Sequence, residues 1–356
     1  MKVFLISNMY PSDRDPLFGV FVKNFKSGLE MYGVKFQFIS VIKGKPVNIY
    51  QKIKKYFIYS MSILSNYYKS DYDLIYIHYL SINSLILFIF SFNNYKRPIV
   101  VNVHGSDVME ESFFMSFFNK HLLFKSSLII APSNYFKQEM LLKYKFLDDK
   151  KIYVSPSGGV DPSIFHIKEI VRDKKILTLG YVSRIDKGKG WDIFLELVRK
   201  INKKGILVNG IVVGDGSQKE DLLQKINDLG INNFIEYKGL VKQNKLIDLF
   251  NQIDLFIFPT IRSAESLGLV GLEAMACGTP VLGSDIAGPG EYIIDGFNGF
   301  KFEPGNVSAL FEKVEKYLSL NSNVKLKMSE NAYCTSINYQ KEKVMSGLKN
   351  ELLKLC

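Results

Sequence analysis

The feature that most constrains the fold is the alternation of short apolar segments with longer segments of helical periodicity. Six short segments occupy the first half of the chain, from KVFLIS at residue 2 to KIYVSP at residue 151. Five more occupy the second half, from KILTLGYV at residue 175 to PVLGSD at residue 280. Apolar runs separated by helices predict parallel strands covered by helices on both faces of the sheet. Two such series predict an α/β protein with two doubly wound, Rossmann-like domains.

The chain has 356 residues, which is too long for one ordinary core and agrees with two domains. Residues 157–175 combine glycine, proline and then charge, as linkers do. We therefore expect an N-terminal domain over residues 1–165 and a C-terminal domain over residues 166–338. Ligands bind at the carboxyl ends of parallel strands, so two sheets facing each other would form a cleft lined by loops of both domains.

The net charge of +11 is unevenly distributed. Residues 1–165 hold 20 Lys and Arg against 12 Asp and Glu, whereas the remainder holds 26 against 23. Residues 41–70 contain six lysines, six Tyr or Phe residues and no acidic residue. A basic, aromatic surface suits an anionic membrane or a nucleic acid, and a solvated lysine face is the alternative. Because no nucleic-acid-binding motif accompanies the lysines, we expect no nucleic acid partner.

The cysteines and the apolar segments bear on the location of the protein. Three scattered cysteines without a C-x-x-C pair predict neither a zinc site nor a disulfide framework, and fit a reducing compartment. The longest apolar stretch, residues 80–92, is shorter than the roughly 20 residues that span a bilayer. We expect a cytoplasmic protein that can attach peripherally to the cytoplasmic face of the membrane.

The stretch ESLGLVGLEAMACG, residues 265–278, places two glutamates eight positions apart around an uncharged segment. A helix is predicted to begin near Ser266–Gly268 and to end at Gly278, before a proline. Glu265 then lies outside the helix and Glu273 inside it. The two carboxylates are not a catalytic pair on one helix face.

The start of this helix has the form of an anion-binding cradle. The backbone N–H groups of Ser266, Leu267 and Gly268 would point at an anion, with the helix dipole favouring negative charge. Glu265 would repel a phosphate there unless it accepts hydrogen bonds from another part of the ligand. Sugar hydroxyls are suitable donors, and Glu273 could bind a second polyol. A phosphate flanked by two hydroxyl-rich groups describes a nucleotide sugar.

A second cationic element, GYVSRIDKGKGWD, follows a predicted strand. It contains Arg184 and Lys189, and two cations at the carboxyl end of a strand suit a diphosphate. The chain has six arginines against forty lysines, so Arg184 is expected to supply the bidentate contact that lysine cannot make. A solvated loop is the alternative for this pair when it is considered alone.

The first half contributes weaker candidates. Gly19 lies in the loop after the first strand, where a phosphate could meet bare backbone. His104 ends a strand and begins the sequence HGSD, in which Asp107 could orient the imidazole or cap a helix. His78 has a similar position at the end of DLIYIH.

Metal-dependent and nucleotide-hydrolysing chemistries find no support in the sequence. The D-x-D sequence from Asp71 to Asp73 precedes a strand, away from the carboxyl end where ligands bind. The sequence contains no G-x-x-x-x-G-K-[ST], the phosphate-binding loop of many nucleotide hydrolases. It also contains no G-x-S-x-G, the motif that carries the nucleophile of many serine hydrolases. We expect no bound metal ion and no separate cofactor.

Nearly the whole chain resembles glycosyltransferase family 4, whose members are retaining enzymes with the GT-B fold. The segment ESLGLVGLEAMACGTPV is similar to the E-x7-E region of that family. Five further segments match in the same order along the chain: HGSD, APSNYFKQEM, SPSGGVDPSIF, RIDKGKG and GEYIIDGFNGF. The resemblance also implies that the final helix, over residues 339–356, crosses back onto the N-terminal domain.

The resemblance implies roles for the candidate residues. Arg184 and Lys189 would bind the donor diphosphate and stabilise the leaving group. Glu265 would accept hydrogen bonds from the donor sugar, beside the backbone of Ser266 to Gly268, and Glu273 would hold the ribose hydroxyls. The remaining roles concern Val241, whose loop would contact the base, Gly19, which would approach the diphosphate, and His104, which would lie by the donor sugar and acceptor.

Three places depart from the family pattern, one of them a small change at Gly290 and Glu291 after Pro289, near the sugar site. Phe18 precedes Gly19 where many relatives carry a second glycine, and Tyr339 replaces a tryptophan near the last helix. The resemblance implies a nucleotide-sugar donor, with UDP as the first candidate nucleotide, and no metal requirement. The expected acceptor is a saccharide or a lipid-linked saccharide of polysaccharide synthesis. The alternatives are a nucleotide-sugar epimerase of the same architecture and a non-catalytic, membrane-associated protein that binds sugar nucleotides or polysaccharides.

Overall fold

The computed structural model describes residues 1–16, 18–91, 97–168 and 176–356. These residues form two compact units. The first comprises Met1–Gly159 together with Lys341–Cys356, and the second comprises Val160–Gln340. The sequence-based boundary after residue 165 therefore falls a few residues inside the second unit.

The first unit contains a six-stranded parallel sheet in the order β2-β1-β3-β4-β5-β6. Apolar residues occupy both faces of these strands, as the two-sided apolar pattern predicts. The strands are β1 (Lys2–Tyr10), β2 (Lys35–Lys43), β3 (Leu74–His78), β4 (Ile99–Asn102), β5 (Leu128–Ala131) and β6 (Ile152–Val154).

Helices connect these strands and cover the sheet. Side-chain caps fix the starts of three of them, where Asn48, Ser112 and Ser133 each accept a hydrogen bond from a backbone N–H of the first turn. A single 3₁₀ turn, Asp149–Lys151, precedes β6. The helices are α1 (Val20–Glu30), α2 (Ile49–Tyr67), α3 (Ile82–Ser91), α4 (Ser106–Met109), α5 (Phe113–Lys125) and α6 (Asn134–Lys143).

The second unit repeats this architecture with the strand order β12-β11-β10-β7-β8-β9. Its strands pair in parallel. They are β7 (Leu177–Val182), β8 (Val208–Val213), β9 (Ile235–Tyr237), β10 (Leu255–Phe258), β11 (Val281–Ser284) and β12 (Gly299–Phe302).

Two core clusters lie on opposite faces of the second sheet. Leu255 and Ile257 belong to the cluster beneath α7, whereas Phe256 and Phe258 belong to the cluster beneath α10. Two 3₁₀ turns, Asn232–Phe234 and Gln243–Lys245, complete the unit. The helices are α7 (Trp191–Lys203), α8 (Lys219–Asp228), α9 (Leu246–Gln252), α10 (Leu269–Ala276), α11 (Ala287–Tyr292), α12 (Val307–Ser319) and α13 (Ser322–Ile337).

The final helix, α14 (Lys341–Leu353), packs on the first unit. Val344, Met345 and Leu348 join the core cluster that α1 forms on one face of the first sheet. The contact with α1 is close, because a Cβ on Gly28 would lie 2.9 Å from the Met345 sulfur. The chain therefore returns to its first unit after completing the second.

The prediction of two doubly wound α/β domains is confirmed. In each sheet the chain first builds toward one edge and then returns to build toward the other. The reversal lies between β1 and β3 in the first sheet and between β7 and β10 in the second. Ligands of doubly wound sheets bind at the carboxyl ends of the strands at such a switch point. The loops that follow these strands are therefore the expected location of a binding site.

Candidate active site

The switch point of the second sheet carries an ion pair with little exposure to solvent. Lys189 follows β7 and Glu265 follows β10, and Lys189 Nζ lies 2.6 Å from Glu265 Oε2. The two side chains are only 13% and 10% exposed. Thr260, a buried residue two positions beyond β10, donates from Oγ1 to the same carboxylate oxygen over 3.2 Å. The loss of either charge would leave its partner poorly compensated.

Glycine backbone brings the two loops together. Ile261 N donates to Gly188 O over 2.9 Å, which ties the loop after β10 to the loop after β7. A Cβ on Gly190 would lie 2.0 Å from Pro259 O, so only glycine fits there. Gly190 also has the positive φ of 79° from which α7 begins. The order Gly-Lys-Gly thus places Lys189 on backbone that touches the neighbouring loop on both sides.

Arg184 has different surroundings from Lys189. Its side chain is 67% exposed, and Nη1 lies 2.9 Å from Asp186 Oδ2. Asp186 Oδ1 accepts hydrogen bonds from the backbone N and from Oγ of Ser217, each over 2.9 Å. Partial burial raises the pKa of the Asp186 carboxyl, but these hydrogen bonds and the charges of Arg184 and Lys189 outweigh it and hold the pKa below its usual value. Asp186, which the sequence analysis missed, is therefore an anchored carboxylate partner of the exposed guanidinium.

The helix after Glu265 begins later than the sequence predicts. It starts at Leu269, and Gly268 is its N-cap residue in the left-handed conformation, with φ 73°. Ser266 and Leu267 are therefore loop residues, and the cradle expected from them belongs to a turn rather than to a helical first turn. The physical reason is that the left-handed backbone at Gly268 cannot belong to a right-handed helix. Glycine is required there also by close packing, because a Cβ on Gly268 would lie 2.4 Å from the Phe258 ring.

The turn is held from its other side by α11. A Cβ on Gly288 would lie 2.1 Å from Ser266 O, so the two backbones are in direct contact. Tyr292 Oη donates to Gly268 O over 2.9 Å. The backbone from Ser266 to Gly268 is consequently fixed by neighbours that lie far along the sequence.

Glu273 lies inside α10 as predicted and is buried. Burial raises the pKa of its carboxyl to about 7, although a hydrogen bond from Gln243 acts in the opposite direction. Gln243 Nε2 donates to Glu273 Oε1 over 2.7 Å. The loop that supplies Gln243 also carries Val241, a partly buried side chain packed on the same core cluster as α10. No spacing in the sequence singles out Gln243.

In the first unit, Gly19 begins α1 with φ 70°. A Cβ there would lie 2.7 Å from the carbonyl carbon of Met9, near the end of β1. The glycine is therefore required by the close approach of the helix start to the strand end.

His104, two residues beyond β4, lies within a cluster of rings. His104 Nε2 is 3.0 Å from His78 Nδ1, at the end of β3. The ring stacks on Tyr79, with centroids 5.2 Å apart and an interplanar angle of 10°, and Phe21 covers it at 4.6 Å. Burial lowers the pKa of His104 to about 3, so this imidazole is neutral at physiological pH.

Asp107 does not orient the His104 ring. Its carboxylate accepts hydrogen bonds from the backbone N–H groups of His104 and Leu80, over 2.9 and 3.1 Å. It therefore fixes the loop backbone, while His78 and Tyr79 position the ring. Tyr79 reaches the ring from a positive φ of 74°, a conformation that sequence patterns do not reveal for tyrosine.

The aspartates of the D-x-D sequence hold the amino end of the first sheet. Asp73 Oδ2 accepts from the backbone N of Lys2 over 2.6 Å, and Asp71 forms an ion pair with the Lys2 side chain. Among the described residues no group of three or more His, Cys, Asp or Glu side chains is arranged to hold a metal ion. Within the same residues no helix has the length and apolar character needed to cross a membrane.

Two solved structures share this fold over their full lengths. Sucrose-phosphate synthase of Thermosynechococcus elongatus aligns with a TM-score of 0.81 and 15% identity, covering 100% of this chain and 99% of that one. HepE of Anabaena, in complex with UDP and glucose, aligns with a TM-score of 0.77 and 19% identity, covering 100% of each chain. The two doubly wound domains therefore form a GT-B fold, the architecture that the sequence resemblance implied.

The sequence relationships identify the family. Residues 163–335 match the model for glycosyl transferases group 1, and residues 20–163 match the model for glycosyltransferase family 4. An uncharacterized glycosyltransferase of Methanocaldococcus jannaschii is 30% identical over 290 residues, which cover 75% of this chain and 71% of the relative. The chain belongs to the group 1 glycosyltransferases of family 4, and the resemblance inferred from its motifs is confirmed.

Proposed function

We propose that this glycosyltransferase transfers a sugar from a nucleotide-sugar donor to an acceptor hydroxyl, with retention of configuration and without a metal ion. The observation that carries the proposal is the Lys189–Glu265 ion pair at the switch point of the second sheet. A cation there suits the donor diphosphate, and a carboxylate beside it suits the hydroxyls of the donor sugar.

The second unit is the proposed donor-binding domain. Lys189 and Arg184 bind the diphosphate, and the backbone of Ser266, Leu267 and Gly268 lies beside the sugar. Arg184 is exposed and attached to Asp186, so it can turn from this partner to a phosphate at little cost.

The nucleoside end of the donor is assigned to two further residues. Val241 contacts the base, and Glu273 binds the ribose hydroxyls. Hydrogen bonds donated by a ribose favour the charged carboxylate, so donor binding releases a proton from Glu273, whose pKa is about 7 without ligand. UDP is the first candidate nucleotide, since HepE, which has the same fold, holds UDP together with glucose.

The proposed reaction breaks the bond between the anomeric carbon and the leaving phosphate oxygen. The acceptor oxygen forms its bond to the same face of the anomeric carbon, and its proton passes to a phosphate oxygen of the leaving nucleoside diphosphate. Positive charge develops on the sugar and negative charge on the diphosphate, which Lys189 and Arg184 stabilise. Glu265, held by Lys189 and Thr260, acts as a hydrogen-bond acceptor for the sugar rather than as a nucleophile.

The first unit is the proposed acceptor-binding domain. His104 is neutral, so it can exchange a hydrogen bond with a sugar hydroxyl without placing a second charge beside the reacting carbon. Gly19 lets backbone approach the diphosphate. The acceptor is a saccharide or a lipid-linked saccharide of glycoconjugate synthesis. The three cysteines of the protein are unpaired, which fits a cytoplasmic location. We place the protein at the membrane face where lipid-linked acceptors are exposed.

The first experiment measures donor binding by calorimetry for UDP-, GDP- and ADP-sugars. We expect one nucleotide class to bind, and the Glu273→Gln variant to bind it more weakly while remaining folded by circular dichroism. Titrations near neutral pH in buffers of different ionisation enthalpy should show proton release with the wild type and none with the variant. Unchanged affinity in the variant would refute the ribose role.

The second experiment measures turnover. Transfer to an acceptor, with the same anomeric configuration in product and donor by NMR and with full rate in the presence of a chelator, supports the complete proposal. Conversion of the sugar nucleotide without any acceptor would instead identify an epimerase. Donor binding without transfer to any acceptor in a saccharide and glycolipid panel would identify a binding protein.

A further inference from the structure

One face of the first sheet is covered by α2, α3, α5 and α6, whose inward side chains belong to one core cluster. The cluster includes Tyr59, Leu87 and Leu122 together with side chains of the strands. Tyr59 Oη donates to Asn83 Oδ1 over 2.5 Å, which joins α2 to α3. Phe88 of α3 packs on Phe118 of α5, with ring centroids 5.2 Å apart. The outward sides of α2, α3 and α5 therefore form one surface.

The outward side of α2 is apolar. Ile49, Ile53, Phe57 and Met61 are all exposed, and their spacing of four residues places them along one ridge of the helix. The side chains that anchor the helix follow the same spacing on another face, and they are Tyr59, Ile63 and Tyr67. All residues from Ile49 to Lys54 are exposed, so the first turns of α2 stand clear of the core.

The outward side of α5 has the same character. Phe113, Phe117 and Phe124 are exposed at a spacing that repeats on one helix face, and Phe113 is 99% exposed. Lys120 lies on this face between the second and third phenylalanine. Large apolar side chains that remain this exposed in a folded domain mark an interaction surface.

The charges that α2, α3 and α5 themselves carry have one sign, and the nearest acidic residues are Glu110 and Glu111, which precede α5 and of which Glu111 forms an ion pair with Lys143. The sequences of α2, α3 and α5 contain five lysines and no aspartate or glutamate. The lysines are Lys52, Lys54, Lys55, Lys120 and Lys125. Apolar and aromatic side chains between lysines, with no acidic residue on the three helices themselves, are complementary to a lipid surface with anionic headgroups.

The position of this surface is related to the candidate site within the first unit. In a parallel sheet the helix that follows a strand begins at that strand's carboxyl end. The exposed first turns of α2 and α5 therefore lie along the same edge of the sheet as His104 and Gly19. A lipid surface in contact with Ile49 and Phe113 would face the edge to which we assign the acceptor.

We propose that the outward ridges of α2 and α5 bind the surface of an anionic lipid bilayer. The exposed isoleucine and phenylalanine side chains enter the interfacial region, and the exposed lysines Lys52, Lys54, Lys120 and Lys125 contact headgroup phosphates. Binding to lipid requires neither donor nor acceptor, so this inference stands apart from the proposed transfer reaction, and only its consequence for a lipid-linked acceptor rests on that proposal.

The experiment is vesicle co-sedimentation of the full chain without donor or acceptor. Vesicles of phosphatidylcholine are compared with vesicles that contain about one third phosphatidylglycerol, at low salt and at about 0.5 M salt. We expect binding to the anionic vesicles only. The double variant Phe113→Ser/Phe117→Ser should lower the partition coefficient about tenfold or more at low salt. The double variant Lys52→Gln/Lys54→Gln should lower it about tenfold at low salt and little at high salt.

Matched controls come from exposed residues of the second unit. Leu207→Ser/Leu326→Ser removes two leucines that are each as exposed as Phe117, and Lys203→Gln/Lys204→Gln removes two exposed lysines. Both controls should bind like the wild type, and all variants should keep the wild-type circular dichroism spectrum and donor affinity. Failure of the wild type to bind anionic vesicles, or equal losses in the controls, would overturn the proposal. A wild-type dimer in sedimentation velocity that Phe113→Ser/Phe117→Ser dissociates, without vesicle binding, would identify the surface as a contact between copies and also overturn it.

Discussion

The two units have the same sheet and the same kind of switch point, but they position their candidate residues by different forces. In the second unit a charged pair, Lys189 and Glu265, is held by loops whose glycines touch neighbouring backbone. In the first unit a neutral imidazole, His104, is held by stacked rings and by His78. Charge in one unit suits a diphosphate, and neutral hydrogen-bonding groups in the other suit a hydroxyl nucleophile.

The two units also differ in how the charges on their helices are balanced. Lysines of the second unit commonly stand beside acids, as Lys225 does with Glu196 and Lys313 with Asp295. The helices α2, α3 and α5 of the first unit carry five lysines and no acidic residue in their own sequences. A common topology therefore leaves the outward helix faces free to diverge, because the fold depends only on the inward faces.

The largest effect is expected for Lys189→Ala. This change removes the cation proposed to stabilise the leaving diphosphate and leaves the Glu265 carboxylate without its partner. We expect turnover to fall by about 10²–10³, measured as kcat with saturating donor. The control is Lys187→Ala, which removes an exposed lysine of the same loop. Lys187→Ala should keep wild-type turnover. If Lys189→Ala kept it as well, the Lys189–Glu265 pair would not contribute to catalysis, and charge would not distinguish the candidate site of the second unit from that of the first.

Gly268→Ala tests the close packing of the second unit. The new Cβ would lie 2.4 Å from the Phe258 ring at a φ of 73°. We expect a loss of about 2–4 kcal/mol in the free energy of unfolding, from overpacking added to left-handed strain. Gly230→Ala is the control, because its φ is 64° and no atom lies within 4 Å of the new Cβ. Its loss should be about 1 kcal/mol. Equal losses in chemical denaturation would show that the turn at Gly268 is not tightly packed.

Glu273→Gln tests burial through the pH dependence of stability. Burial raises the pKa of the Glu273 carboxyl from 4.5 to about 7, so the folded state binds this proton more tightly than the unfolded chain. The stabilisation is complete below about pH 4.5 and is lost as the pH rises through about 7. Relative to the wild type, the variant should therefore gain stability between about pH 5 and pH 8, by up to about 3 kcal/mol. Parallel curves of Tm against pH would contradict the raised pKa.

The smallest effect is expected for His104→Ala in the first unit. The loss of a neutral hydrogen-bonding group should lower kcat about tenfold and leave donor affinity nearly unchanged. The pH profile of kcat between about pH 5.5 and pH 8 should keep its shape, because the pKa of His104 is about 3. His166→Ala, which removes an exposed histidine of the second unit, is the control. If kcat fell as far in His104→Ala as in Lys189→Ala, the neutral imidazole would be as important to turnover as the charged pair, and the proposed difference between the two sites would be wrong.

Much of the fold could be predicted from sequence, because periodicity reports which faces of a segment are buried. The alternation of apolar runs and helical segments identified both doubly wound sheets, and the E-x7-E region identified the family. The start of α10 was predicted one to three residues too early, since the turn before it is fixed by Phe258 and Gly288, which contact it only after folding. Thr260 could have been noticed just beyond its strand end, whereas Gln243 comes from a loop whose path no local pattern encodes.

The amino-acid sequence by itself determined the number of domains, the parallel sheets and the cationic and acidic residues at strand ends, because local periodicity and strand order bring those ends to one edge. Only the tertiary structure decided which charges meet. It paired Lys189 with Glu265 and Arg184 with Asp186, since loop packing over glycine backbone sets distances that spacing along the chain does not contain. It also decided which side of α2 faces outward, because burial is a property of the assembled core and not of the helix alone.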